Sequence, residues 1–182
     1  VTCLQVKAQY MPVVFDKVYG DKNQIQLVCP LPGDEVALVG KEGQKYNLTW
    51  VEREGGVIFS LPLTGFTAVN EIVELDNSRV LVVGQSSVPN VKGKKDKITL
   101  CGRIVVINRG GRIVSDIYAG DQGSNFLKGM LLRSGAFVVS GSEPKGADGR
   151  QGILLKLDPT GSVVYQYKNA GGGYCDQFAV MG

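Results

Sequence analysis

The feature that most constrains this chain is a strand–turn–strand phrase that recurs along it and stops repeatedly at a glycine. Its clearest copy joins two apolar runs, 153–157 and 163–167, through the turn residues Asp158-Pro159-Thr160-Gly161. Short apolar runs separated by such residues predict a β-hairpin. A preceding hairpin, 126–140, stops at Gly141. Together the two hairpins predict one four-stranded antiparallel unit.

The same unit can be traced twice more upstream. The predicted hairpins span 25–39, 47–61, 69–83 and 103–118, and Gly40 or Gly84 ends the first hairpin of each pair. The glycines that close successive units stand at positions 20, 65, 120 and 171. Four short strands repeated at this spacing are typical of the blades of a β-propeller. A single blade buries neither face, so neighbouring blades must stack.

Two other all-β folds compete with this interpretation. A β-sandwich has strands at a similar spacing but no reason to repeat one four-strand phrase, and a β-helix has a shorter period. We therefore predict an all-β fold, a β-propeller of four-stranded antiparallel blades at about 21–65, 66–120 and 121–171.

The chain of 182 residues also predicts the start of a fourth blade at 172–182. A strand at 12–19 would supply the last strand of the final blade and close the ring. Because propellers have at least four blades, we interpret the chain as a single propeller domain or the N-terminal part of one, incomplete at three blades and one strand.

The amino-acid composition excludes several kinds of catalytic site and partner. The net charge is +3, with basic and acidic residues interspersed, so no nucleic-acid partner is expected. There is no His, which excludes Ser-His-Asp and Cys-His catalytic sites and His-ligated metals. Cys3, Cys29, Cys101 and Cys175 show no metal-ligand spacing and are either disulfide-bonded or buried thiols. We predict no catalytic residue, no metal site and no cofactor.

The N-terminus has two interpretations. Val6-Lys7-Ala8 fits the small-x-Ala pattern before a signal-peptidase cut, which would make Val1–Ala8 a signal-peptide remnant. Alternatively these residues belong to a first strand. No apolar run reaches the roughly 18 residues that span a bilayer, so no transmembrane segment is predicted.

The third unit also carries a resemblance to known repeats. Its motif reads Phe137-Val-Val-Ser-Gly141, Ile153-Leu-Leu-Lys-Leu-Asp158, Gly161-Ser-Val-Val-Tyr165 and a closing Gly171-Gly172. This pattern resembles the propeller repeats of secreted and surface proteins of Bacteroidota-type bacteria and, more distantly, quinoprotein-like and kelch-like blades. The resemblance implies a propeller and an extracytoplasmic location, in the periplasm or at the cell surface, but no reaction.

Two surfaces are candidates for binding. The connections between successive units fall on one face of a propeller, where ligands usually bind, and there the candidate ligand-binding residues are Asp121, Asn125, Tyr174 and Asp176. The second candidate is the insertion 88–97, which offers Lys92, Lys94, Lys95 and Lys97 to an acidic partner or to lipid headgroups. Its alternative is a solvated loop.

These observations predict a non-catalytic extracytoplasmic β-propeller that acts as a binding or scaffold module for a protein or glycan partner. One alternative is a glycan-acting hydrolase or lyase that uses carboxylates of the inter-blade loops. The other alternative is a structural subunit of a cell-envelope complex.

Overall fold

The computed structural model describes residues 24–76, 78–88, 99–146 and 149–169. Within these ranges the chain forms β-strands and no helix, as the sequence predicts. The strands are β1 (Gln24–Leu31), β2 (Glu35–Glu42), β3 (Lys45–Val51), β4 (Val57–Pro62), β5 (Phe66–Asp76), β6 (Arg79–Val88), β7 (Thr99–Asn108), β8 (Ile113–Ala119), β9 (Asn125–Leu131), β10 (Phe137–Lys145), β11 (Gly149–Leu157) and β12 (Val163–Lys168). The predicted strand 12–19, the segment Val1–Ala8 and the predicted start of a fourth unit lie outside the described residues.

The strands form three four-stranded antiparallel sheets, each made of strands consecutive in the chain. Sheet 1 is β1 to β4, sheet 2 is β5 to β8 and sheet 3 is β9 to β12. Every neighbouring pair within a sheet is antiparallel. The prediction of repeated four-strand antiparallel units is therefore confirmed for the described part of the chain.

Local turn chemistry explains where the hairpins reverse. In the turn between β11 and β12, Gly161 has a φ of 95° and its N–H donates to the carbonyl of Asp158 at 3.0 Å. The Asp158 carboxylate accepts the N–H groups of Thr160 and Ser162, both at 2.9 Å. A glycine adopts this left-handed conformation without steric cost, and Asp satisfies the free amides of the turn.

Gly84 and Gly141 have a different role from the one that the sequence predicts. They do not end strands, because β6 continues to Val88 and β10 to Lys145. A Cβ atom at Gly141 would lie 2.0 Å from the carbonyl oxygen of Asn125 on β9, and one at Gly84 would lie 2.0 Å from that of Ala68 on β5. Glycine is needed here because two backbones approach closely beside irregular strand pairing.

The middle sheet supplies core residues on both of its faces. Val80, Val82, Val105 and Ile107 belong to a core shared with sheet 1. Leu81, Val83, Ile104 and Val106 belong to a second core shared with sheet 3. All eight side chains are at most 2% exposed. Successive residues of a strand point to opposite faces, so the uninterrupted apolar runs in β6 and β7 bury sheet 2 between its neighbours.

The outer sheets contribute larger side chains to these two cores. Sheet 1 provides Trp50 and Leu48, both fully buried, and sheet 3 provides Phe126, Phe137 and Leu157, also fully buried. The first strands lie next to one another in series, with β5 in contact with β1 and β9 in contact with β5. The three sheets therefore stack in chain order.

Polar side chains also tie neighbouring sheets together. Glu35 of β2 accepts the indole N–H of Trp50 at 2.7 Å and pairs with Arg109, which follows β7 and donates through Nε at 3.0 Å. The Arg109 guanidinium and the Trp50 indole lower the pKa of the Glu35 carboxyl. Between sheets 2 and 3, the Asn70 amide donates to the Asn125 side-chain oxygen at 2.7 Å.

We expect Gly141→Ala to lower the free energy of unfolding by about 2 kcal/mol, because the added methyl group would force β9 and β10 apart. Gly110→Ala is the matched control: a Cβ there meets only the Asn108 side-chain oxygen, at 3.4 Å, so the expected change is below about 0.5 kcal/mol. Urea unfolding followed by circular dichroism measures both. Equal losses in the two variants would contradict the close-approach explanation.

The lowered pKa of Glu35 predicts a pH dependence of stability. Its stabilising contribution is present above the ordinary Glu pKa of about 4.3 and is lost as the pH falls through the lower pKa of the folded state. Glu35→Gln lacks this titration, so the wild type should exceed the variant in stability at neutral pH, and the difference should shrink in acid. Urea midpoints at neutral and acidic pH test this; a pH-independent difference would refute it.

Candidate functional site

The strand order places the loops on two opposite sides of each sheet, at the two ends of its strands; each of these sides is called an edge here. In a four-stranded meander, the start of the first and third strands and the end of the second and fourth lie at the same edge. The connections 63–65 and 120–124 therefore leave one sheet and enter the next at that edge, which we call the connection edge. The ends of β6 and β7 that flank 89–98 also lie there.

Of the predicted ligand-binding residues, Asp121 and Asn125 lie in the described structure, and both are at the connection edge. Asp121 is in the connection 120–124, and its carboxylate pairs with Lys168 at 3.2 Å. Asn125 begins β9, and its side-chain oxygen accepts the hydrogen bond from Asn70. Tyr174 and Asp176 lie outside the described residues, as do Lys92, Lys94, Lys95 and Lys97.

A buried carboxylate that the sequence did not single out organises the surroundings of Asp121. Glu143 of β10 is fully buried. One of its oxygens accepts the Gln151 amide at 2.8 Å and pairs with Lys168 at 2.6 Å, while the other accepts the Asp121 backbone N–H at 3.2 Å. The hydrogen bond to Glu143, followed by that to Asp121, raises the pKa of the Lys168 amine. The cluster fastens the connection 120–124 to sheet 3.

A buried arginine anchors the connection 63–65, as Glu143 anchors the connection 120–124. Arg103 of β7 makes two hydrogen bonds of 2.8 Å to the carboxylate of Asp116, and it donates to the carbonyl of Thr64 at 2.6 Å. Its guanidinium lies 4.7 Å from the centre of the Phe66 ring and 5.1 Å from that of Tyr118. The contact with Asp116 raises the Arg103 pKa in spite of burial. Arg103 thus fixes the backbone of the connection that it faces.

A pocket of about 450 Å³ opens beside this connection. Its floor contains three side chains that are almost fully buried, Tyr46, Leu63 and Phe66, and its mouth carries exposed or half-buried polar side chains. The polar residues at the mouth are Glu42, Gln44, Lys45, Asn47 and Thr64. The N–H of Leu63 donates to the carbonyl of Tyr46 at 2.8 Å, which joins the connection 63–65 to β3.

A shallower groove of about 320 Å³ lies next to the pocket. Gln24, Gln26, Lys41 and Gly43 line it. The amine of Lys41 is 5.0 Å from the centre of the Tyr46 ring, within the range of a cation–π contact. The pocket and the groove therefore share one corner of sheet 1.

Two cysteines lie in the described structure, and both are free thiols. Burial raises the pKa of Cys29, and burial together with the nearby Asp121 carboxylate raises that of Cys101. A raised pKa keeps a thiol protonated and less nucleophilic at neutral pH. Cys3 and Cys175 lie outside the described residues.

In ranges 24–76, 78–88, 99–146 and 149–169, no three His, Cys, Asp or Glu side chains are grouped so as to hold a metal ion. Nor does this part of the chain contain a helix of the length and apolar character needed to cross a membrane.

Comparisons with known proteins assign the chain to no family. No protein-family model matches it, and no curated protein sequence matches it significantly.

The contacts of Arg103 predict that a conservative substitution has a large effect. Arg103→Lys loses the two-pronged pairing with Asp116 and the ring stacking, and we expect the free energy of unfolding to fall by about 2 kcal/mol. Amide NMR signals of 63–66 should shift as the connection loses its anchor. Arg133→Lys, in an exposed turn, is the control. Unchanged signals at 63–66 in the Arg103 variant would show that it does not position the connection.

Proposed function

We propose that these sheets are blades of a β-propeller, and that the protein is a non-catalytic binding or scaffold module that works outside the cytoplasm. The observation that carries the proposal is the pocket at the connection edge, where the end of sheet 1 meets the connection to sheet 2. In propellers, the loops at one end of the ring form the usual ligand surface.

Three features support the propeller geometry. Each sheet is a meander of consecutive strands, the sheets stack in chain order, and their first strands are neighbours. First strands near a common axis with last strands at the perimeter are the arrangement of propeller blades. The extracytoplasmic location is supported by the resemblance of the third unit to repeats of secreted and surface proteins.

Hydrogen bonds that anchor the connections 63–65 and 120–124 support a binding role. Arg103 anchors the connection 63–65 through Thr64, and Glu143 anchors 120–124 through the Asp121 backbone. A further bond joins the N–H of Gly123 to the carbonyl of Leu100. Surfaces held in one conformation bind with a smaller loss of conformational entropy, so these anchors suit recognition.

We expect ligands selected on a glycan array or from a random peptide library to bind the full chain at the connection edge. Lys45→Glu, at the pocket mouth, should weaken such binding at least about tenfold, or ~1.4 kcal/mol. Arg133→Glu, the same charge reversal at the opposite edge, should leave it unchanged. Equal effects of the two substitutions, or selected ligands that bind elsewhere, would refute the proposal.

The rival hydrolase or lyase is tested with Asp121→Ala. Asp121 is exposed but engaged by Lys168, and a non-catalytic module should produce no new reducing ends from polysaccharide substrates with either residue present. Reducing-end assays on the wild type and the variant make the comparison. Turnover by the wild type that disappears in the variant would establish the rival.

A further inference from the structure

We propose that the pocket beside the connection 63–65 binds one ring of a neutral sugar, an inference that rests on the proposed binding function. The ring would lie with its C–H face toward the floor and its hydroxyl groups toward the mouth. Four properties of the site lead to this ligand class: its size, its floor, the hydrogen-bonding groups of its mouth and its charge.

The volume of the pocket and its apolar floor fit a small ligand. A volume of about 450 Å³ falls within the range of roughly 300–1,000 Å³ for small-molecule sites. The floor residues Tyr46, Leu63 and Phe66 are 5%, 5% and 4% exposed, so they are held by the core and present only their outer surfaces. Packing therefore fixes these side chains, and a ligand would touch the small apolar surface that they leave open, which the C–H face of a sugar ring could cover.

The mouth offers hydrogen-bonding groups of several kinds. Gln44 and Asn47 each carry an amide with donors and an acceptor, Thr64 carries a hydroxyl, and Glu42 and Lys45 add an acceptor and a donor. Sugar hydroxyls both donate and accept, so adjacent hydroxyls match such mixed groups. A purely hydrocarbon ligand would satisfy none of them.

Charge favours a neutral ligand. Glu42 and Lys45 are the charged residues that line the pocket, and their formal charges cancel. Arg103, on the far side of Phe66, is already paired with the Asp116 carboxylate at 2.8 Å, and its guanidinium lies 4.7 Å from the centre of the Phe66 ring. A phosphorylated or uronic-acid ligand would bring its negative charge next to the Glu42 carboxylate as well as to Lys45.

Hydrogen bonds also hold the segments that line the pocket in place. The bond between Leu63 and Tyr46 joins the connection 63–65 to β3, and the bond from Arg103 to Thr64 joins this connection to β7. Preorganised sites of this kind lose less entropy on binding. Arg103 is therefore a positioning residue of the site, and it does not contact the ligand.

The test is titration of the isotope-labelled full chain with maltose, cellobiose and lactose, followed by amide NMR. At least one disaccharide should produce saturable shifts confined to 42–47 and 62–66, with a Kd of about 1 mM. Gln44→Ala and Asn47→Ala should each weaken binding about fivefold or more. Gln166→Ala, an exposed amide on β12, is the matched control and should bind as the wild type does.

Other outcomes overturn the inference in distinguishable ways. No saturable shifts up to about 50 mM of each disaccharide, or shifts insensitive to Gln44 and Asn47, would overturn the sugar site. So would stronger binding of a sulfated or uronic-acid disaccharide at these residues. If a selected peptide then shifts the connection edge, the binding module survives and only its ligand class was wrong. If neither sugars nor peptides bind there, the proposed function fails as well.

Discussion

Burial of sheet 2 on both faces is the interaction on which the remaining structure depends. Val80 to Val83 alternate between the two cores, and Ile104 to Ile107 do the same. Each fully buried aliphatic side chain contributes about 1.5–3 kcal/mol. Neither sheet 1 nor sheet 3 has a complete core without sheet 2. The packing of sheet 1 on sheet 2 also positions the pocket at the connection edge, which lies between the end of sheet 1 and the first residue of sheet 2.

The all-β class and the grouping into three four-stranded antiparallel sheets were predicted from the sequence, because short apolar runs and turn residues specify hairpins locally. The turn at Asp158 and Gly161 shows this directly. Gly141 shows the limit: a glycine after an apolar run resembles a strand end, but here it permits a close approach to Asn125 on a neighbouring strand. Pro30 shows the same limit, since proline is a typical turn residue yet lies here within β1. As β1 is an edge strand, proline is tolerated there.

The candidate site was less accessible to sequence reasoning. The placement of Asp121 and Asn125 at the connection edge follows from topology alone, since connections between meanders share an edge. Arg103 and Glu143 could not be recognised, because their partners at Thr64 and Asp121 are 39 and 22 positions away in the chain. One weak signal was present: Glu143 closely follows the apolar run of β10, and a charged residue that is buried in such a strand is almost always paired. The pocket itself arises from juxtaposed backbone segments and has no sequence motif.

The exposure of β12 has a consequence for the order in which the strands unfold. Residues of β4 and β8 pack against the cores that lie between sheets, whereas all six residues of β12 are exposed. In an array whose units touch only their neighbours, stability is a sum of unit and interface contributions. Among the described strands, loss of structure should therefore begin at β12 and move inward, with sheet 2 the last to open. For the described sheets, the cooperativity of unfolding should therefore depend on the contacts between neighbouring sheets.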